Sequence, residues 1–293
     1  MKFTAGGGIG NLLLIAIFAA YALARVLEVF SGTIPHLQIV ALDVLSAAAF
    51  ALVDGSRRHG WRGILIFVAI CIAVGNVVEN LGVATGFPFG HYRFLELMGP
   101  KIGHVPVLLG LAYIGMAYAS WVMARLILNR RGVKSGRFAF VAAPLLASLI
   151  MTTWDIAQDP VWSTVLHGWV WFDGGAWFGV PLTNFLGWFG NLFIIYSLFA
   201  LYLRREDRDE RELEVASWTA PVLYALCAAG NVLQLASASA TATVMDAAGR
   251  QWRVAHILAA SALVSIAAMG SFVFLACRSA MSKMSNRSLR EQA

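Results

Sequence analysis

Eight apolar runs, each about as long as a bilayer-spanning helix, dominate this chain and leave little room for a water-soluble fold. They lie at about Ile9–Phe30, Ile34–Asp54, Gly63–Ala84, His104–Leu128, Phe138–Ile156, Val180–Leu203, Trp218–Ala240 and Trp252–Cys277. A hydrocarbon core is crossed by roughly 20 helical residues. Hydrophobic residues make up 59% of the 293 and charged ones only 13%, against roughly 45–50% apolar in a soluble domain. The predicted fold class is therefore all-α: a polytopic membrane helix bundle of about eight transmembrane helices, interrupted by two Gly/Pro/Trp-rich re-entrant or capping segments. The first run is too long, and at Arg25 and Glu28 too polar near its end, for a cleavable signal, and reads as a retained helix. We expect a single transmembrane domain over residues 1–277 and a basic, disordered cytoplasmic tail over 278–293.

The net charge of +6 is explained by where the cations lie, with no need for a nucleic acid or other anionic partner. Sixteen Lys and Arg fall at the termini and on alternate loops: Lys2, Arg57, Arg58, Arg62, the 130–137 and 204–211 clusters, and the tail. Only four, Arg93, Lys101, Arg250 and Arg253, fall on the other side. The positive-inside rule then puts both termini in the cytoplasm, as for a bacterial-type inner-membrane protein. The loop Arg204-Arg-Glu-Asp-Arg-Asp-Glu-Arg-Glu-Leu-Glu214 mixes both signs and reads as a solvated helical turn. Cys71, Cys227 and Cys277 lie in or at the end of apolar runs without paired spacing, and read as packing residues.

Polar groups inside the runs are the informative ones, since a charge at mid-membrane costs about 2.5–3.5 kcal/mol on insertion scales. Asn76, Glu79 and Asn80 share one helix face in the third run. That run is followed by Gly86-Phe-Pro-Phe-Gly90, which does not continue a helix, then by His91, Tyr92, Arg93 and Glu96. A second region repeats the pattern: Trp154, Asp155 and Asp159 close the fifth run, and Trp162, His167, Trp169, Trp171, Asp173 and Trp177 follow before Asn184 in the sixth. Irregular backbone at membrane depth needs protein or a water-filled cavity around it, so we expect the two regions to face each other over a site. Most of the tryptophans fit an interfacial belt, and the same rings can also stabilise a cation in a dry site. Arg25 and Glu28 are placed to pair on one face. Asp43 reads equally well as site lining and as a structural hydrogen-bond partner. Nearly all such groups map to the non-cytoplasmic half, and the cytoplasmic half is expected to be almost free of them.

Absences narrow the chemistry further. The six histidines are dispersed, which disfavours di-iron oxygen chemistry. Asp155 and Asp159 offer one carboxylate pair but no second motif of the kind that holds Mg²⁺ on a diphosphate, and no Gly-rich nucleotide fingerprint occurs. Neither a metal nor a cofactor is expected. Carboxylates, water and aromatics in a lipid-facing cavity suit acid–base chemistry on an apolar substrate.

Glu79, Gly86-Phe-Pro-Phe-Gly-His-Tyr92, Trp154-Asp-Ile-Ala-Gln-Asp-Pro160 and Gly179-Val-Pro-Leu-Thr-Asn-Phe-Leu-Gly-Trp188 resemble the two signature regions of the CruF-type carotenoid biosynthesis proteins, the membrane carotenoid 1,2-hydratases. They cover about a quarter of the chain. The resemblance implies cofactor-independent addition of water to the terminal 1,2 double bond of a linear, lycopene- or γ-carotene-like end group. For such a reaction we expect Asp155 or Asp159 to supply the proton and Glu79 to orient or deprotonate the water, with those roles exchangeable. Asn76, Asn80, His91, Tyr92, Asp173 and Asn184 would position water or the acids, and Trp154, Trp169 and Trp171 would line the polyene channel. The implied partners are the carotenoid, membrane lipid and other enzymes of the pathway. An end-group cyclase would use the same protonation but exclude water. A proton-coupled carrier or a non-catalytic relative would use the carboxylates as relays, although no internal repeat of the kind many carriers show is evident.

Overall fold

The computed structural model describes residues 8–30, 36–130, 137–205 and 218–291, with side chains placed at 8–30, 36–128, 140–205 and 218–281. Lys2, Arg131, Lys134 and most of the mixed-charge loop, residues 206–214, lie outside the described residues. Among the described residues eight helices carry the fold: α1 (Gly8–Leu27), α2 (His36–Thr85), α3 (Val107–Arg130), α4 (Arg137–Pro160), α5 (Leu182–Arg205), α6 (Thr219–Ala236), α7 (Val254–Val264) and α8 (Gly270–Glu291). A π-helical turn, Ser265–Met269, joins α7 to α8 in one continuous rod. Seven of the resulting helical segments are long and apolar enough to cross a membrane. Their outward faces carry Ile9, Leu12, Val77, Leu186 and Leu263, as a surface in contact with lipid tails requires.

The 50-residue α2 is two crossings. A straight helix of that length would measure about 75 Å, more than twice a hydrocarbon core of about 30 Å. At Gly60 the backbone turns to φ 70°, ψ 166°, a conformation open essentially to glycine alone. The two arms, residues 36–59 and 61–85, then run back along each other. Asp43 and Glu79, which a straight helix would hold about 54 Å apart, line one cavity. With α2 counted as two, the crossings number eight, in the positions read from the sequence.

At one end of the bundle the helices are capped by irregular segments. After α2 come β1 (Tyr92–Phe94), a 3₁₀ turn at Glu96–Met98 and a small hairpin of β2 (Lys101–Ile102) and β3 (Val105–Pro106). After α4 come a π-helical turn, Val161–Val165, and β4 (Trp169–Trp171). The two regions expected to face each other pair as strands, antiparallel, with Tyr92 opposite Trp171 and Phe94 opposite Trp169. A third capping element was not expected: β5 (Thr243–Met245) and β6 (Gln251–Arg253) form a hairpin between α6 and α7. It is organised by Asp246, which accepts from the backbone N–H groups of Ala248 and Arg250, from the Arg250 guanidinium and from the Trp252 indole. Arg250 also donates to the Gly175 carbonyl, tying the hairpin to the loop after β4.

The expectation that the opposite half of the bundle is almost free of buried charge is corrected. Asp54 and Arg58 are fully buried there, on the first arm of α2. Asp54 accepts from Arg58 Nε at 2.5 Å, Tyr118 Oη at 2.8 Å and Thr219 Oγ1 at 2.7 Å. Arg58 lies four positions after that carboxylate on the same helix face, and tertiary packing supplies the other donors. The α8 backbone also stays helical to Glu291, past Cys277, where the sequence reading began a tail.

Candidate active site

Packing decides where the cavity forms. α2 packs on α1, α3 and α5, while α4 packs on α3 and α5. The space left between α2 and α4, roofed by β1 and β4, is a cavity lined by residues of both helices. Asp43, Glu79 and Val44 come from the α2 side; Trp154, Asp155, Gln158 and Asp159 come from α4. The roof is held by a steric device. The Phe89 ring of the Gly86–Gly90 segment is wedged between Gly82 and Gly187, where an added Cβ would come within 2.7 Å and 2.6 Å of it. Only hydrogen at both positions lets α2 and α5 close on that ring.

Three buried carboxylates converge here with neutral donors. Glu79 Oε2 accepts from Tyr92 Oη at 2.5 Å and its Oε1 from Tyr113 Oη at 2.8 Å. Tyr113 in turn stacks on Trp188, with centroids 4.5 Å apart, and accepts from Asn191. Asp159 Oδ1 accepts from the indoles of Trp169 and Trp171, both at 3.0 Å. The two hydrogens of Asn184 Nδ2 bridge Asp159 Oδ2, at 2.8 Å, and Asp155 Oδ2, at 3.0 Å. Asp159 thus carries three N–H donors, the full dress of an acceptor-only ionised carboxylate. Asp155 carries one, and among the described residues no donor reaches its Oδ1.

The rest of the wall mixes aliphatic side chains of α2 and α3, such as Val40, Leu109 and Met116, with aromatic rings, and is polar at one end. Trp162 stacks parallel to Trp169, Tyr92 packs on Trp171, and Phe89, Phe94 and Trp188 complete the lining. At the α1 side Arg25 is committed to Glu28 at 2.8 Å and Asn231 at 2.5 Å. Gln234 donates to the other oxygen of Glu28. This confirms the paired arrangement read for Arg25 and Glu28 and adds α6 to it.

A profile described as "Carotenoid biosynthesis protein" matches residues 36–249. The chain belongs to this family. The curated bisanhydrobacterioruberin hydratase of Haloarcula japonica is 30% identical to it over 173 residues, 56% of this chain. The match covers 54% of that relative, so the chain spans about half its length. No solved structure matches. All the carboxylates that face the cavity, Asp43, Glu79, Asp155 and Asp159, lie inside the part that matches the carotenoid biosynthesis family.

Of the residues singled out from the sequence, the structure brings Glu79, Tyr92, Trp154, Asp155, Asp159, Trp169, Trp171 and Asn184 together on the cavity. It does not bring Asn76, Asn80, His91 or Asp173 there. Asn80 donates to Asn76 and accepts from the His104 backbone N–H, which anchors the β2–β3 hairpin. His91 Nδ1 and Asp173 Oδ2 pair at 2.8 Å on the exposed surface. None of these four lines the cavity. Sequence reasoning passed over Tyr113, Gln158 as a wall residue, and Trp188 as a stacking partner. The signal for Tyr113 is slight: one of several hydroxyls on α3, joined to Glu79 only after folding.

Proposed function

We propose that this protein hydrates the terminal 1,2 double bond of a linear carotenoid end group, of lycopene or γ-carotene type. The observation that carries this reading is the unequal dress of two adjacent aspartates in an aromatic-walled, lipid-facing bundle. A hydratase needs an acid hydrogen aimed at an alkene, and Asp155 Oδ1 is the carboxylate oxygen in the α4 pair that no donor occupies. Membership of the carotenoid biosynthesis family supports the substrate class, and the likeness to a hydratase supports the reaction.

In this mechanism the Asp155 O–H breaks and its proton joins C2, using the alkene electron pair. The tertiary cation left at C1 faces the carboxylates of Asp159 and Glu79 and the faces of the surrounding indoles, which stabilise positive charge in a dry site. A water lone pair then forms the C1–O bond, and loss of a proton from that oxygen yields the tertiary alcohol. Asn184 is a positioning residue: its single NH₂ fixes the two aspartates relative to each other. The cation-rich loops support a cytoplasmic placement of the uncapped end and of both termini, with the capped cavity toward the other side of an inner membrane.

Expression in a lycopene-producing bacterium, with pigments read by liquid chromatography–mass spectrometry, tests this. Gain of one or two waters, lost in Asp155→Asn, is the expected result. A cyclised isomer of unchanged mass, or unchanged lycopene and γ-carotene, overturns it.

A further inference from the structure

A hydratase must also take a proton from the attacking water, and the α4 pair and Glu79 are poorly disposed to do so. A proton arriving on Glu79 or Asp159 would compete with the two or three donors already serving each charge. Asp43 is different. It lines the same cavity from the first arm of α2 as Asp155 does from α4. Among the described residues neither of its oxygens has a hydrogen bond, and Oδ1 is buried. The nearest charge is Arg25, with Nη1 at 3.9 Å from Oδ1; that guanidinium is already engaged by Glu28 and Asn231, and the Glu28 carboxylate also acts on Asp43. A cation at that distance stands beside Asp43 without a hydrogen bond to it, and the side chain keeps some exposure on the cavity wall.

Resting on the hydratase reading above, we infer that Asp43 is the catalytic base: it holds the attacking water on the α2 wall and receives its proton. The cycle balances. Asp155 gives its proton to C2, the water oxygen bonds to C1, the water proton passes to Asp43, and return of that proton to Asp155 through cavity water restores both groups. Acid and base on separate walls let the end group lie between them.

The test separates protonation from water capture. Membranes containing the full chain are incubated with lycopene in D₂O, and both the hydrated product and deuterium in the recovered lycopene are measured. In Asp43→Asn the hydrated product should fall by roughly 10²-fold or more, the usual contribution of a general base, while deuterium still enters recovered lycopene because Asp155 still protonates it. Asp155→Asn should lose both signals, and Asp43→Glu should regain part of the hydration. Retained hydration in Asp43→Asn overturns the assignment. So does joint loss of hydration and exchange in Asp43→Asn, which is what a merely structural residue would give. If the wild-type chain hydrates no linear carotenoid, the function itself falls, a result distinct from either.

Discussion

Asp54 and Asp155 are both aspartates buried in an apolar bundle, and their surroundings are opposite in kind. Asp54 meets a guanidinium, a phenol and a hydroxyl, which use both of its oxygens. Asp155 meets one amide hydrogen and an open cavity. Desolvating a carboxylate is repaid only when its charge and lone pairs are matched. The first site is matched, and its role is to lock the first arm of α2 to α3 and α6. The second leaves its demand unmet on one side, which is the condition of a group kept for a reactant.

Several experiments sharpen that contrast. The largest effect should come from Asp155→Asn, expected to lower hydration by about 10²–10⁴-fold while leaving thermal unfolding in detergent nearly unchanged; pigment analysis and a melting curve read the two. Asp54→Ala should do the reverse. Breaking a buried pair costs about 3–5 kcal/mol, so yield and melting temperature should fall, with turnover per folded molecule preserved. If Asp54→Ala instead inactivates folded protein, the division between the two regions is wrong.

Smaller effects test the donors. Trp171→Phe keeps the ring and removes one N–H from Asp159; a hydrogen bond to a charged group is worth about 1.5–3 kcal/mol, so turnover should fall roughly tenfold or more. Tyr113→Phe should act similarly through Glu79, and in both cases rates measured against protein amount check the size. The smallest effect concerns the hairpin. Burial opposes the charge of Asp246, yet bonds from Trp252 and Arg250 outweigh it and hold its carboxyl below the usual range. Its contribution is therefore present above the unfolded carboxylate value of about 4 and lost as pH falls through the lower folded value. Hydrogen exchange at residues 243–253 should rise at strongly acid pH, and Asp246→Asn should show that rise already at neutral pH.

Much of the site was legible because the membrane makes polar residues conspicuous. Glu79, Asp155, Asp159 and Asn184 stand out against apolar runs, and all four reach one cavity. The same reasoning overreached at His91, Asp173, Asn76 and Asn80, which sit in the same motifs but do not line the cavity. His91 and Asp173 lie where the chain has left helical geometry and spacing no longer gives side-chain direction, while Asn76 and Asn80, inside α2, bond each other and the β2–β3 hairpin. It fell short at Arg58, which reads as a loop cation until Asp54, one helical turn away, is seen buried beside it. The β5–β6 hairpin was missed because its short strands sit between two apolar runs whose ends were read too far.

What the sequence by itself determined is the bundle: lipid accepts only apolar, internally bonded backbone, so run length and composition dictate helices and their number. The turn at Gly60 was also implicit, since no 50-residue rod fits the bilayer. What only the tertiary structure decided is the division of labour among carboxylates. Whether an aspartate meets a guanidinium, three N–H donors or an open cavity depends on which helices come to lie beside it. Those neighbours are brought together by packing between segments far apart in the chain, such as Phe89 between Gly82 and Gly187 or Asn184 between the two α4 aspartates, and no local spacing encodes them.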